Sequence, residues 1–227
     1  MYGIIDGMKH TKTNDDIIDK TAEYVRREME GEGSGHDWWH VYRVWQTAMT
    51  IAKHETVDLF VVSLAALLHD IGDHKFHDGD ETVGPRMTTE WLETMNVDPD
   101  IIDHVRQIVM DISFKGVGES NRCTMKTLEG KVVQDADRLD AIGAVGIART
   151  FAYGGAKNRE IYNPNIPPEK HDTFEQYKNS KGPTINHFYE KLLLLKHLMN
   201  TETGKQIARD RHEFMETFLK QFFLEWN

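Results

Sequence analysis

One apolar run constrains the fold of this chain more than any other feature. Residues 59–68 read LFVVSLAALL, with a single polar side chain in ten positions. A helix that is apolar on every side has to be buried, so residues 58–71 are predicted to form a helix at the centre of a helical bundle. The run is far too short to span a bilayer, and no membrane segment is expected. His69 and Asp70 follow it directly, so this helix would deliver two metal-ligand side chains toward the interior.

Helical periodicity predicts further helices on both sides of this run. Apolar residues recur at helical spacing in seven other segments, 14–29, 38–54, 82–96, 99–112, 125–152, 184–199 and 203–225. Asn14 or Asp15 is suited to cap the first helix, and Pro99 is suited to a helix start. No segment shows the alternating pattern of a convincing strand. The sequence therefore predicts an all-α fold.

The chain is predicted to be one domain. Its 227 residues contain no long polar linker, and residues 1–227 are assigned to a single unit with a core region at about 36–152 and C-terminal helices at about 184–225. Residues 154–183 contain paired glycines and four prolines, which is typical of a loop. A loop of this length is uncommon in a compact domain, and both a substrate lid and surface filler remain open. Monomer and homodimer are both open.

Charge and cysteine content exclude several classes of partner and compartment. The formal charge is −10 and no Lys/Arg cluster is longer than a pair, which argues against a nucleic-acid polymer that needs many phosphate contacts. A small nucleotide remains possible, because a few cations and a metal are enough to bind it. The one cysteine cannot form an internal disulfide, and the N-terminus lacks the pattern of a signal peptide. We therefore expect a cytoplasmic protein.

Four side chains along the predicted core form a set that suits one divalent metal ion. They are His40, His69, Asp70 and Asp137, which supply two imidazoles and two carboxylates. This mixture of nitrogen and oxygen suits Mn²⁺, Fe²⁺, Co²⁺, Ni²⁺ or Zn²⁺ better than an ion that prefers thiolates. Such an ion can polarise a phosphate and lower the pKa of a bound water. A metal-dependent hydrolase is the leading interpretation.

The order of these residues resembles the motif of the HD-domain phosphohydrolase superfamily, which consists of a His, a later His-Asp pair and a distant Asp. His40 opens the segment HVYRV, and Asp137 lies in ADRLD. Segments 112–116 and 140–144 look like those of a small single-domain bacterial branch of that superfamily. The resemblance implies an HD-domain helical bundle, and it implies that His40, His69, Asp70 and Asp137 are the metal ligands.

The same resemblance implies a substrate and a reaction. We expect hydrolysis of a nucleoside or deoxynucleoside triphosphate to monophosphate and pyrophosphate, with one divalent ion. Mn²⁺ is favoured, and Co²⁺, Ni²⁺, Fe²⁺, Zn²⁺ or Mg²⁺ is possible. Three alternatives stay open: a 5′-nucleotidase that acts on monophosphates, a di-iron oxygenase that recruits His77 or His104, and a non-catalytic nucleotide sensor.

Two aspartates are candidates for catalysis. Asp70 is expected to take part in the chemistry as well as in metal binding. Asp73 follows His69 by four residues, so the two would share a helix face if the helix persists through Gly72. Asp73 could then orient an imidazole or take a proton from water, or it could only cap the turn.

A triphosphate needs cations besides the metal. Lys115, in the segment SFKG, is the best candidate because backbone N–H groups of a loop beside it could also contact phosphate. Arg43 and Lys75 are the next candidates. Each of the three could equally be an ordinary surface charge.

Overall fold

The computed structural model describes residues 13–30, 37–72, 80, 82–113, 125–169 and 182–226. Every regular element within these ranges is helical, which confirms the all-α prediction. The helices are α1 (Asn14–Glu28), α2 (Trp38–Ala52), α3 (Leu59–Leu68), α4 (Val83–Thr94), α5 (Pro99–Ser113), α6 (Leu128–Asp140), α7 (Gly143–Ala156), α8 (Asn186–Glu190), the 3₁₀ helix Leu192–Leu198 and α9 (Glu202–Trp226). Within the described ranges, no helix is both long enough and apolar enough to cross a membrane.

Helix α3 is the centre of the bundle, as its composition predicts. All nine residues from Phe60 to Leu68 are buried, and α3 packs against α1, α2, α5 and α6. Burying one large aliphatic side chain stabilises the fold by about 1.5–3 kcal/mol, so an apolar helix gains most from this central position. The helix ends at Leu68, three residues earlier than predicted, and His69 is its C-cap.

Polar side chains mark where several helices begin. The Asp58 carboxylate accepts hydrogen bonds from the N–H groups of Phe60 and Val61 at the start of α3. At the start of α2, the Asp37 carboxylate accepts the N–H of His40 at 2.9 Å. The cap of α1 is Thr13, whose hydroxyl accepts the N–H of Asp16, and not Asn14 or Asp15 as expected. These caps satisfy N–H groups that the first turn of a helix leaves without partners.

The predicted helix 125–152 is two helices, which corrects the sequence-based boundaries. The chain is extended at Ile142 (φ −126°, ψ 166°), and Gly143 has φ +77°. A Cβ atom at Gly143 would lie 3.0 Å from Cγ of Arg211, and one at Gly146 would lie 2.2 Å from the carbonyl oxygen of Ala141. Glycine at both positions therefore allows α7 to turn back closely over the end of α6.

The C-terminal part also differs from the prediction. The expected helix 184–199 is the short α8 followed by the 3₁₀ helix, whereas the expected helix 203–225 is confirmed as α9. The predicted loop 154–183 starts later, because α7 continues to Ala156. Hydrogen bonds connect the beginning of this loop to the residues that follow it. The N–H groups of Thr184 and Ile185 donate to the carbonyls of Glu160 and Ile161, respectively. Residues 170–181 lie outside the described ranges, so the lid stays a prediction.

A buried carboxylate joins α9 to α6. Asp135 is fully buried and accepts hydrogen bonds from the backbone N–H and side-chain amide of Asn200 and from the N–H and hydroxyl of Thr201, all at 2.8–3.1 Å. Thr201 in turn accepts the N–H of Gly204 in the first turn of α9. This contact fixes where the last helix begins relative to α6.

Candidate metal centre

His40 is held by a hydrogen bond on one ring nitrogen. It lies in the first turn of α2 with 1% of its surface exposed, and its Nδ1–H donates to Oδ2 of Asp140 at 2.7 Å. The tautomer is assigned from this bond, because a carboxylate oxygen can only accept. The other nitrogen, Nε2, therefore faces the interior and is available to a metal ion.

His69 is held in the same way by backbone. It caps the end of α3 and is also 1% exposed, and its Nδ1–H donates to the carbonyl of Ala66 at 2.8 Å. The Nε2 atoms of His69 and His40 lie 3.3 Å apart. Two helices thus bring two imidazoles together with the same nitrogen directed toward one point.

Two carboxylates complete the cluster. Oδ2 of Asp70 lies 3.3 Å from Nε2 of His40 and 3.7 Å from Nε2 of His69. Oδ1 of Asp137, on α6, lies 3.5 Å and 3.9 Å from the same two nitrogens. The Asp70 side chain is 7% exposed and that of Asp137 is 30% exposed, so Asp137 is the most accessible of the four.

The donor atoms fit a divalent cation in both spacing and chemistry. Adjacent ligands of an ion with bonds of about 2.1 Å lie roughly 3.0–3.4 Å apart in octahedral or tetrahedral geometry, and the separations in this cluster are 3.3–3.9 Å. The ligand atoms of His40, His69 and Asp137 all lie within 4.8 Å of one another, and Asp70 is outside this group although its Oδ2 lies 3.3 and 3.7 Å from the two Nε2 atoms. Two imidazole nitrogens facing two carboxylates favour a shared cation, and nitrogen with oxygen suits a first-row divalent ion.

The environment of His40 makes the Nε2 atom of its imidazole strongly basic. Burial lowers its pKa, but hydrogen bonds to Asp140 and Asp70 and the charges of Asp70 and Asp137 outweigh burial and raise the pKa to about 9. The features that attract a proton to this imidazole also attract a metal ion, which takes the proton's place when it binds.

Asp140 is the main residue near the centre that the sequence did not single out as functional. Its carboxylate is 4% exposed and accepts Nε–H and Nη2–H of Arg43 at 2.7 and 3.0 Å and Nη1–H of Arg149 at 2.6 Å. Burial raises the pKa of Asp140, but the hydrogen bonds from His40 and Arg43 hold it well below its usual range. The sequence contained one indication of this arrangement. Asp140 follows Asp137 by three residues and Arg43 follows His40 by three, so each lies near the helix face of a candidate ligand.

The remaining predicted residues divide into two groups. Asp73, Lys75, His77 and Lys115 lie outside the described residues, so their roles stay predictions. The condition under which Asp73 would share a helix face with His69 is not met, because α3 ends at Leu68 and Gly72 has φ +66°. Arg43 is described, with 34% of its side chain exposed beside Asp140, and its phosphate-binding role also stays a prediction.

His104, the described candidate for a second metal, has other partners. Its Nε2 lies 3.0 Å from the hydroxyl of Thr127 and 3.8 Å from Oε2 of Glu129. It is not in the group of His and Asp ligand atoms that the described part of the chain brings together. These contacts link α5 to the start of α6, and the second-metal role of His104 stays a prediction.

Known proteins resemble this chain in sequence and in fold. The family model for the HD domain matches residues 38–142. The crystal structure of an HD-superfamily hydrolase from Bacillus thuringiensis superposes with a TM-score of 0.75 at 44% identity, covering 95% of this chain and 99% of that protein. The chain belongs to the HD-domain family. It is also 40% identical to YpgQ of Bacillus subtilis over 208 residues, which are 89% of this chain and 92% of YpgQ.

A structure of YpgQ in complex with ADP superposes on this HD-domain chain with a TM-score of 0.71 at 37% identity, covering 92% of this chain and 97% of YpgQ. These similarities confirm the family and the bacterial relatives expected from the motif. They also support the coarser prediction of activity, an HD-superfamily hydrolase with a His and Asp group suited to a metal.

Proposed function

We propose that this protein is a metal-dependent phosphohydrolase that cleaves nucleoside or deoxynucleoside triphosphates to monophosphate and pyrophosphate, using one divalent ion, preferably Mn²⁺. The observation that carries the proposal is the convergence of His40, His69, Asp70 and Asp137, whose nitrogen and oxygen donors make contacts of 3.3–3.9 Å. The complex of YpgQ with ADP supports a nucleotide as the ligand.

The residues of the centre have separate tasks in this proposal. When bound, a divalent ion polarises a phosphate oxygen and makes a coordinated water more acidic. His40 and His69 supply nitrogens that their Nδ1–H hydrogen bonds already orient, and Asp70 and Asp137 supply the opposing negative charge. We assign proton acceptance from the attacking water to Asp73, with Asp70 holding the ion beside it. Lys115, Arg43 and Lys75 are assigned to the phosphates.

The test is hydrolysis of a panel of nucleoside mono-, di- and triphosphates with Mn²⁺, Mg²⁺, Co²⁺ or Ni²⁺, with the products separated by chromatography. Release of pyrophosphate and monophosphate from triphosphates supports the proposal. A parallel reaction in ¹⁸O-water identifies the attacked phosphorus, because the label appears in the product that received the water oxygen.

Other products would support the alternative functions. Inorganic phosphate released from monophosphates would identify a 5′-nucleotidase. Two bound irons and dependence on His77 would identify an oxygenase, and nucleotide binding without turnover under any ion would identify a sensor. Each of these outcomes contradicts the proposed reaction.

Replacing Lys115 by alanine is expected to raise KM for the triphosphate roughly 10–100-fold, because a charge-assisted hydrogen bond to phosphate contributes roughly 1.5–3 kcal/mol. The Mn²⁺ content should not change, since Lys115 is not assigned to the metal. Steady-state kinetics and metal analysis on the same preparation measure both quantities. The control is Lys126→Ala, which removes an exposed lysine and should leave KM unchanged. An unchanged KM in Lys115→Ala would remove this residue from the substrate site.

A further inference from the structure

We propose that Asp140 is a positioning residue for the metal ligand His40, and that Arg149, which lies beyond the region matched by the HD-domain model, belongs to the same unit. The inference rests on the proposed function, since it concerns the same metal centre. It assigns to α7 an indirect part in metal binding, through Asp140 and His40.

The His40 ring needs a partner to fix its orientation. An imidazole on a helix can rotate about its side-chain bonds, and either nitrogen can carry the proton. The 2.7 Å bond from Nδ1–H to Oδ2 of Asp140 fixes both the ring and the tautomer. Nε2 is thereby directed at His69, Asp70 and Asp137. A carboxylate on the second nitrogen also makes the first a stronger metal ligand.

The Asp140 carboxylate needs charged partners of its own. Burying an ionised carboxylate at 4% exposure costs several kcal/mol unless such partners compensate. Arg43 compensates with two parallel hydrogen bonds, and Arg149 adds a third at 2.6 Å. The two guanidinium groups approach from different helices, α2 and α7. They hold the Asp140 carboxylate as an anion in one position, which is what orienting His40 requires.

Arg149 reaches the site because the chain reverses after α6. That helix ends at Asp140, and the chain turns at Gly143, whose φ is positive, so that the first two turns of α7 lie against this end. Arg149 then lies about two turns into α7, with 24% of its side chain exposed. Arg149, which follows the residues matched by the HD-domain model, thus contacts the same carboxylate as His40, the first proposed metal ligand of the domain.

Burial alone would not identify Asp140, because Asp135 on the same helix is buried as well. The partners separate the two residues: Asp135 accepts hydrogen bonds from Asn200 and Thr201 at the start of α9, whereas Asp140 accepts one from a metal ligand. Asp135 therefore provides a matched control on α6, since its substitution disturbs the fold without touching His40.

The experiment compares Asp140→Asn, Arg149→Gln and Asp135→Asn with the wild type in the full-length chain. Titration calorimetry of the metal-free protein with Mn²⁺ gives the dissociation constant, and urea unfolding gives the stability. Asp140→Asn keeps the size of the side chain but removes its charge, and should weaken Mn²⁺ binding by roughly 10–100-fold. Arg149→Gln should also weaken Mn²⁺ binding, but by a smaller factor. Asp135→Asn should lower stability while its Mn²⁺ affinity stays within about twofold of the wild type.

The outcomes separate this inference from the proposed function. If the wild type binds Mn²⁺ and Asp140→Asn binds it with the same dissociation constant, the positioning role is overturned and the proposed function is not affected. Equal weakening in Asp135→Asn would also overturn it, because general destabilisation would then explain the loss. If Asp140→Asn does not fold, Arg149→Gln decides the test. An unchanged dissociation constant for Mn²⁺ in Arg149→Gln overturns the inference, and a larger one supports it. Wild type that binds no Mn²⁺ would overturn both proposals, and tight binding without nucleotide turnover would overturn only the function.

Discussion

Replacing Asp137 by alanine is expected to abolish metal retention and hydrolysis while the helical fold remains. Oδ1 of Asp137 is one of the cluster's carboxylate donors and contacts both imidazoles. Its loss leaves the ion with too few protein ligands to be held. A metal ion supplies several kcal/mol of transition-state stabilisation, so turnover should fall by about a thousandfold or more. Asp70→Ala should behave in the same way, since Oδ2 of Asp70 contacts the same two nitrogens.

The metal-dependent change in melting temperature measures this effect without substrate. Mn²⁺ at about a hundred times its dissociation constant stabilises the wild type by about 2.7 kcal/mol, and the variants should lose this gain. The circular dichroism of Asp137→Ala in particular should remain that of a helical protein, because the Asp137 side chain is 30% exposed, whereas that of Asp70 is 7% exposed. The matched control is Asp103→Asn, an exposed aspartate paired with Arg106 on α5. Full activity in Asp137→Ala or Asp70→Ala would disprove the site.

Replacing Asp135 by alanine is expected to lower the free energy of unfolding by about 3–5 kcal/mol, because it leaves the buried N–H and hydroxyl of Thr201 and the part-buried donors of Asn200 without their acceptor. For a chain of this size the melting temperature should fall by roughly 6–20 °C. The cause is structural: the carboxylate ties the start of α9 to α6, and nothing in alanine replaces it.

Urea unfolding measures this prediction, with a lower midpoint as the expected result. Gln134→Ala is the control, because Gln134 accepts the side-chain amide of Asn200 at an exposed contact. Its loss should cost no more than about 0.5 kcal/mol. A cost below about 1 kcal/mol in Asp135→Ala would show that water or neighbouring groups replace the lost acceptor, and that Asp135 does not anchor α9.

The sequence predicted helices best where periodicity and composition agree. The uniformly apolar α3 and the strongly periodic α1, α2, α5 and α9 lie where they were expected, within a few residues. The prediction failed where the chain turns without a strong breaker. Residues 125–152 keep a helical pattern across Ile142, and only the close packing of Gly143 and Gly146 shows why the helix must end there. The run of leucines at 192–195 similarly looks like α-helix but forms a 3₁₀ helix.

The candidate metal ligands were predictable for a similar reason. His40, His69, Asp70 and Asp137 stand in a spaced motif on helices, and residue type alone restricts what such a set can bind. The structure added their convergence, with the nitrogens and carboxylate oxygens of different helices 3.3–3.9 Å apart. It also revealed Arg149, which no motif marks.

By itself, the sequence determined the helical class, the buried central helix and the four candidate ligand side chains, because each depends on local pattern and side-chain chemistry. Tertiary structure alone decided which nitrogen of each imidazole faces the centre, since Asp140 and the Ala66 carbonyl occupy the others. It also decided the different roles of Asp135 and Asp140. Two aspartates five residues apart on one helix look alike in sequence, and only the segments packed against them determine that Asp140 accepts a hydrogen bond from His40 and that Asp135 accepts hydrogen bonds from the start of α9.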